Sequence, residues 1–94
     1  MKLCQVQMKV TADKAENLAR AARLIRDAGA ADIVVLPEMF SCPYVGELFA
    51  RYAEEEGGET CQFLSALAKE RGIYLVGGTV PERCDGKIYN TCYV

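Results

Sequence analysis

Hydrophobic and polar residues alternate at the start of the chain and then follow the spacing of a helix. In residues 2–10 every second side chain is apolar, which predicts a strand with one buried face formed by Cys4, Val6, Met8 and Val10. Asp13 begins a sequence typical of a helix N-cap, and apolar residues then recur every three or four positions, at Ala15, Leu18, Ala22 and Ile25. Gly29 marks the end of this amphipathic helix.

A second strand is predicted by an unbroken apolar run. Residues 33–36 read IVVL, which is typical of a parallel strand that is covered on both faces. Pro37 has no amide hydrogen for a strand ladder, so we expect this strand to end at Leu36 and a loop to occupy residues 41–46.

The next part of the chain predicts two helices. The first is expected over residues 47–55, with Leu48, Tyr52 and Phe49 facing inward. The second is longer; we expect Thr60 to cap its start and Gly72 to close it.

Two further strands complete the predicted pattern. Residues 73–76 and 88–94 are expected to be strands, and Asp85-Gly86 is a two-residue turn signal that would place Cys84 opposite Lys87. The order β-α-β-α-α-β-β, with no linker or repeat, indicates one α/β domain over residues 1–94.

Composition narrows the possible functions. Of the 94 residues 51% are hydrophobic and 26% are charged, and the net charge of −2 leaves no basic stripe for nucleic acid. No apolar run approaches the ~20 residues of a membrane span, and the alternating start is unlike a signal peptide. We therefore expect a cytoplasmic protein that binds neither nucleic acid nor membrane.

The cysteine pattern argues against a metal site. Five cysteines are widely spaced with no C-x-x-C, and the chain has no histidine, so we expect reduced thiols and no bound metal. The Gly77-Gly78 pair does not form a G-x-G-x-x-G loop, so no cofactor is predicted. The pair favours either close backbone packing or approach to a substrate.

One acidic residue occupies a position suited to catalysis. Glu38 leaves the carboxyl end of the second strand, where ligands of parallel α/β sheets collect. Met39 and Phe40 are expected to desolvate its carboxylate in part and so raise its proton affinity toward the range that a general base needs. The alternative is that Glu38 only begins a surface loop.

Several motifs together resemble a known family. ADIVVLPEMF at residues 31–40, the preceding DKAENL…LIRDAG helix, and the later IYLVGGTVPE and IYNT segments are similar to the N-terminal part of the nitrilase superfamily of carbon–nitrogen hydrolases. FSCPY and RYAEEEGGET are most similar to omega-amidases, which hydrolyse monoamides of short dicarboxylic acids. The resemblance implies a four-layer α-β-β-α sandwich, of which residues 1–94 would supply the N-terminal half.

The resemblance also implies a mechanism. Members of the superfamily use a Glu, a Lys and a Cys, and the L-P-E motif puts Glu38 in the role of general base. The thiolate attacks the amide or nitrile carbon, ammonia leaves, and water releases the acyl-enzyme, while the lysine stabilises the oxyanion. The Lys and Cys belong to family segments that follow the YNT hairpin, so this chain alone is expected to be inactive.

Other residues have two interpretations each. Tyr44 could line a substrate pocket or be an ordinary surface or core aromatic. Cys42 is near Glu38 in sequence but matches no nucleophile motif, and it and Cys92 are more typical of packing residues.

Two functional hypotheses therefore stay open. The chain is either the Glu-bearing part of an omega-amidase-like hydrolase acting on a small amide, or a non-catalytic α/β binding or assembly module. In both cases one sheet face, expected to include Val6, Met8, Val35 and Val76, needs a cover, either the C-terminal half of the fold or a second copy. We expect a homo-oligomer.

Overall fold

A three-stranded parallel sheet forms the centre of the molecule. The computed structural model describes all residues from Met1 to Val94. Strands β1 (Leu3–Gln5), β2 (Ile33–Val35) and β3 (Tyr74–Val76) lie in the order β1-β2-β3, with Cys4 beside Val34 and Val34 beside Leu75. The first strand is shorter than predicted because β2, its only partner, has three residues. The pairing ends with one further hydrogen bond, from the Val6 N–H to the Val35 carbonyl.

Two of the three helices cover one face of this sheet. These are α1 (Lys14–Asp27) and α3 (Glu59–Arg71), which contact each other, and the third helix is the short α2 (Gly46–Tyr52). The apolar stripes of α1 and α3 pack with β2 and β3 into one cluster that includes Leu18, Ile25, Val34, Leu64, Leu67 and Leu75. The short α2 has no fully buried residue, and its predicted inward-facing side chains are half-buried. None of the three helices combines the length and the apolar character that a membrane span requires.

The two long helices begin in different ways. Asp13 caps α1 as predicted, since its carboxylate accepts a hydrogen bond from the Glu16 N–H at 3.2 Å. The prediction that Thr60 caps α3 is wrong: the cap residue is Gly58, and Thr60 lies in the first turn. Its N–H and hydroxyl both donate to the carboxylate of Glu54, which therefore caps the helix from six residues upstream.

Glu54 connects three elements. Its carboxylate also accepts a hydrogen bond from Lys14 Nζ of α1 at 2.7 Å. Partial burial raises the proton affinity of this carboxyl, but the bonds from Lys14 and Thr60 outweigh burial, so the pKa of Glu54 lies below its usual value. Its backbone bonds to the carbonyl of Pro81 and to the N–H of Arg83, which attaches the following hairpin to the helical layer.

The hairpin contains one strand more than predicted. Strands β4 (Val80–Cys84) and β5 (Lys87–Thr91) pair antiparallel, so the order is β-α-β-α-α-β-β-β. Strand β4 lacks an alternating pattern and contains Pro81, and this is why the sequence did not indicate it. The predicted register is confirmed, because Cys84 lies opposite Lys87.

The second face of the parallel sheet is uncovered. Leu3 and Tyr74 flank Ile33 in one row across the three strands, and they are 63% and 73% exposed. The prediction that Val6 lies on this face is wrong: Val6 is 7% exposed and belongs to the helix-covered core. Val35 and Val76 are half-buried.

We expect the isolated chain to form a homodimer through this row. Each 100 Å² of apolar surface removed from water contributes about 2.5 kcal/mol, which favours association. Light scattering coupled to size exclusion should give twice the monomer mass of 10.3 kDa. Tyr74→Ser should shift the protein toward monomer, whereas Tyr89→Ser, at an exposed hairpin position, should not. A monomer of 10.3 kDa with a cooperative melt would contradict the prediction.

Candidate active site

Glu38 lies on a tight turn at the carboxyl end of β2. The Leu36 N–H donates to the Val76 carbonyl at 2.9 Å, so the chain still follows β3 immediately before the turn. Pro37 then ends the strand, and Met39 adopts the left-handed conformation with φ of 52°. A non-glycine residue in that conformation is uncommon and is often found at functional sites. We call residues 37–40 the elbow.

The segment after β3 holds the elbow in place. The Met39 N–H donates to Thr79 Oγ1 at 2.8 Å, and the Phe40 N–H donates to the Thr79 carbonyl at 3.3 Å. Gly78 has φ of 57°, and a β-carbon there would overlap the carbonyl oxygen of Pro37. Of the two interpretations of the glycine pair, the structure therefore shows close packing against the elbow.

The two hydrophobic residues after Glu38 point away from it. Met39 is 3% exposed and Phe40 is fully buried, whereas Glu38 is exposed. The prediction that they desolvate the carboxylate is therefore wrong in this chain. They anchor the elbow in the core, and the side chain between the strand and this anchor is directed outward.

A buried amide extends this anchor to helix α1. Asn17 Nδ2 donates to the carbonyls of Ser41 and Thr11, and its Oδ1 accepts from the Thr11 N–H. The helical pattern did not predict a buried polar residue at this position. Its bonds fix the chain directly after the elbow to α1.

The carboxylate of Glu38 has one hydrogen-bond partner. Asn90 Nδ2, on β5, donates to Glu38 Oε2 at 2.8 Å. The residues are 52 positions apart in sequence and both are exposed. The YNT segment is part of the family resemblance, but no role was predicted for Asn90 from the sequence. The sequence signal for the position of Asn90 was the hairpin register, which pairs Asn90 with Pro81.

No cation of this chain pairs with Glu38. Lys14 is engaged by Glu54, and the guanidinium of Arg83 donates to the carbonyls of Ala50 and Ala53. The arrangement can therefore accept a proton at an oriented carboxylate, but the described residues bring no positive charge to it.

A groove lies beside the elbow. Its volume is about 350 Å³, and it is bounded by the carboxyl ends of β1 and β2, with Gln5, Val6, Gln7, Met8, Leu36 and Pro37 as its lining. Two side-chain amides in this lining offer hydrogen bonds to a small polar molecule. A second groove of about 450 Å³ is mostly apolar and lies between α3, β3 and the C-terminal residues. Neither Glu38 nor Tyr44 lines this second groove.

Tyr44 is exposed in the loop before α2. It is 68% exposed and packs edge-to-face against Phe49, with ring centroids 5.5 Å apart. It does not line the groove beside the elbow. Its role in substrate binding stays a prediction.

The cysteines differ in their surroundings. Cys42 is fully buried, and this burial raises the pKa of its thiol, which disfavours the nucleophilic thiolate. Cys92 is exposed just beyond β5, so the prediction that it packs in the core is wrong. All five cysteines are free, and no group of three or more His, Cys, Asp or Glu side chains has the spacing to hold a metal ion.

Comparison with known proteins places the chain in one family. The profile of the carbon-nitrogen hydrolase family matches residues 2–94. The chain is 50% identical to omega-amidase NIT2 of Xenopus tropicalis and 46% identical to that of Homo sapiens, each over 99% of this chain and 34% of the relative. The chain thus spans about a third of the length of these curated relatives.

Solved structures agree with this placement. Saccharomyces cerevisiae Nit3, a member of branch 10 of the nitrilase superfamily, is 39% identical with a TM-score of 0.88, covering 98% of this chain and 38% of Nit3. XC1258 of Xanthomonas campestris, a CN-hydrolase superfamily protein with an arsenic adduct in its active site, is 27% identical with a TM-score of 0.85, covering 94% and 33%. The chain belongs to the carbon-nitrogen hydrolase family of the nitrilase superfamily, which confirms the predicted α/β class and its relation to the N-terminal portion of that fold.

Proposed function

We propose that this chain carries the general-base part of an omega-amidase-type hydrolase. The observation that carries the proposal is the outward-facing Glu38 carboxylate, fixed on the elbow and hydrogen-bonded by Asn90. Identity of about 50% to omega-amidase NIT2 supports omega-amides, meaning monoamides of short dicarboxylic acids, as the substrate class.

In this proposal Glu38 takes the proton of a cysteine thiol, and the thiolate attacks the amide carbon. Ammonia leaves with a proton returned by the carboxyl group, and Glu38 then activates the water that releases the acid product. The cysteine, and the lysine that stabilises the oxyanion, would come from family segments outside these 94 residues. The residues present supply the base and the elbow that supports it.

A segment replacement tests the function. Residues 1–94 are placed in full-length Xenopus tropicalis omega-amidase NIT2 instead of the matching segment, which supplies the rest of the fold. We expect this hybrid to release ammonia from succinamate. The 94-residue chain by itself should release none, because the one hydrogen bond to Glu38 comes from the Asn90 amide, and neither a thiol hydrogen bond nor an ion pair reaches this carboxylate.

A folded hybrid that releases no ammonia would contradict the proposal. Circular dichroism and a cooperative melt establish folding independently of activity. That result would instead favour the non-catalytic α/β module, for which the uncovered row of Leu3, Ile33 and Tyr74 is the available contact surface.

A further inference from the structure

The hairpin brings a neutral donor to the candidate base. Asn90 Nδ2 lies 2.8 Å from Glu38 Oε2, and no other hydrogen bond reaches that carboxylate. One carboxylate oxygen is therefore occupied and the second is unbonded. A carboxylate held at one oxygen loses rotational freedom while its other oxygen can still accept a proton.

The backbone on both sides of this contact is fixed by the same segment. Thr79 bonds to the elbow through its hydroxyl and its carbonyl, and β4 begins at the next residue, Val80. Strand β4 then pairs with β5 so that Pro81 lies opposite Asn90. The positions of the carboxylate and of the amide are thus set by one continuous stretch of chain, which limits relative movement between them.

The neutral charge of the donor matters for the chemistry. A lysine or arginine here would strongly favour the ionised carboxylate and so reduce its capacity to accept a proton. A side-chain amide orients the carboxylate without a full positive charge. The hairpin itself is held to Glu54 through the backbone of Pro81 and Arg83, so the amide is presented from a supported strand.

We propose that Asn90 is a positioning residue that holds one oxygen of the Glu38 carboxylate and leaves the other free to take the proton. This inference rests on the proposed function for its catalytic meaning, but the contact can be tested without any activity. Asn90 acts through Glu38 and is not assigned a contact with substrate.

The test uses nuclear magnetic resonance of the 94-residue chain. We expect the Asn90 side-chain amide protons to show a downfield shift that is reduced in Glu38→Gln, which offers a neutral acceptor, and lost in Glu38→Leu, which offers none. The side-chain amide of Asn17, bonded to Thr11 and Ser41, should stay unchanged in both variants. Glu38 is exposed, so both variants are expected to fold.

The reverse substitution completes the test. In Asn90→Leu the Glu38 side chain should change from one rotamer to several, so that its coupling constants become averaged. Lys87→Leu, an exposed change on the same strand, should leave the coupling constants of Glu38 unchanged. The inference is overturned if the Asn90 amide signals are the same in the unmodified chain, in Glu38→Gln and in Glu38→Leu. It is also overturned if the coupling constants of the Glu38 side chain are averaged equally with and without Asn90. Failure of the hybrid to release ammonia would overturn the proposed function and leave these signals unaffected, so the two failures are distinguishable.

Discussion

Replacing Glu38 by glutamine in the hybrid enzyme is expected to lower kcat by roughly 10²–10⁴-fold, the contribution typical of a general base. Glutamine has nearly the same shape, and its carbonyl can still accept the hydrogen bond from Asn90. It cannot take the proton of a thiol or of the water that releases the acid. The change therefore removes the proposed chemistry and retains the geometry.

The control separates this role from a general effect of lost charge. Glu56→Gln removes an exposed carboxylate away from the elbow, so its kcat should match that of the unmodified hybrid. Ammonia release from succinamate gives kcat, and thermal melts should coincide for all three proteins. Turnover of Glu38→Gln within about threefold of the unmodified hybrid would show that Glu38 is not the base.

Local patterns in the sequence predicted the elements that depend on neighbouring residues. The run at residues 33–36 indicated β2, Asp13 indicated the start of α1, and the Asp85-Gly86 turn gave the hairpin register. In each case the determining interaction lies within a few positions along the chain. The L-P-E motif also located Glu38 correctly at the carboxyl end of its strand.

Features set by distant residues were missed. The cap of α3 comes from Glu54, whose side chain also bonds to Lys14 and whose backbone bonds to β4. Asn90 meets Glu38 across 52 residues, through a strand that contains a proline and gave no alternating pattern. The expected desolvation of Glu38 was wrong because the left-handed turn at Met39 directs the hydrophobic residues inward. These contacts depend on how the hairpin, the elbow and the helices pack together, which the turn that sets the hairpin register does not determine.

The elbow also gives the largest expected effect on stability, at Gly78. An alanine there adopts a left-handed conformation, which costs about 1–2 kcal/mol, and its β-carbon overlaps the carbonyl of Pro37, at a cost of about 1–3 kcal/mol if the elbow moves. Both neighbours of the added carbon, Pro37 and Leu36, contact it through backbone atoms that cannot rotate away. We therefore expect Gly78→Ala to lower the free energy of unfolding by about 2–5 kcal/mol, a large part of the 5–15 kcal/mol of a small domain.

Gly72→Ala is the matched control for this prediction, because Gly72 has φ of 62°, close to the 57° of Gly78, but has open space around it. It should show only the conformational cost, so the difference between the two variants measures the overlap with the elbow. Urea unfolding of the 94-residue chain, followed by circular dichroism at one protein concentration, gives both values. Displacement of the elbow in Gly78→Ala should also weaken the contact between Glu38 and Asn90, and the Asn90 amide signals report this directly. Equal destabilisation by the two alanines, with unchanged Asn90 signals, would show that the elbow adapts to the added carbon and that Gly78 does not determine the position of Glu38.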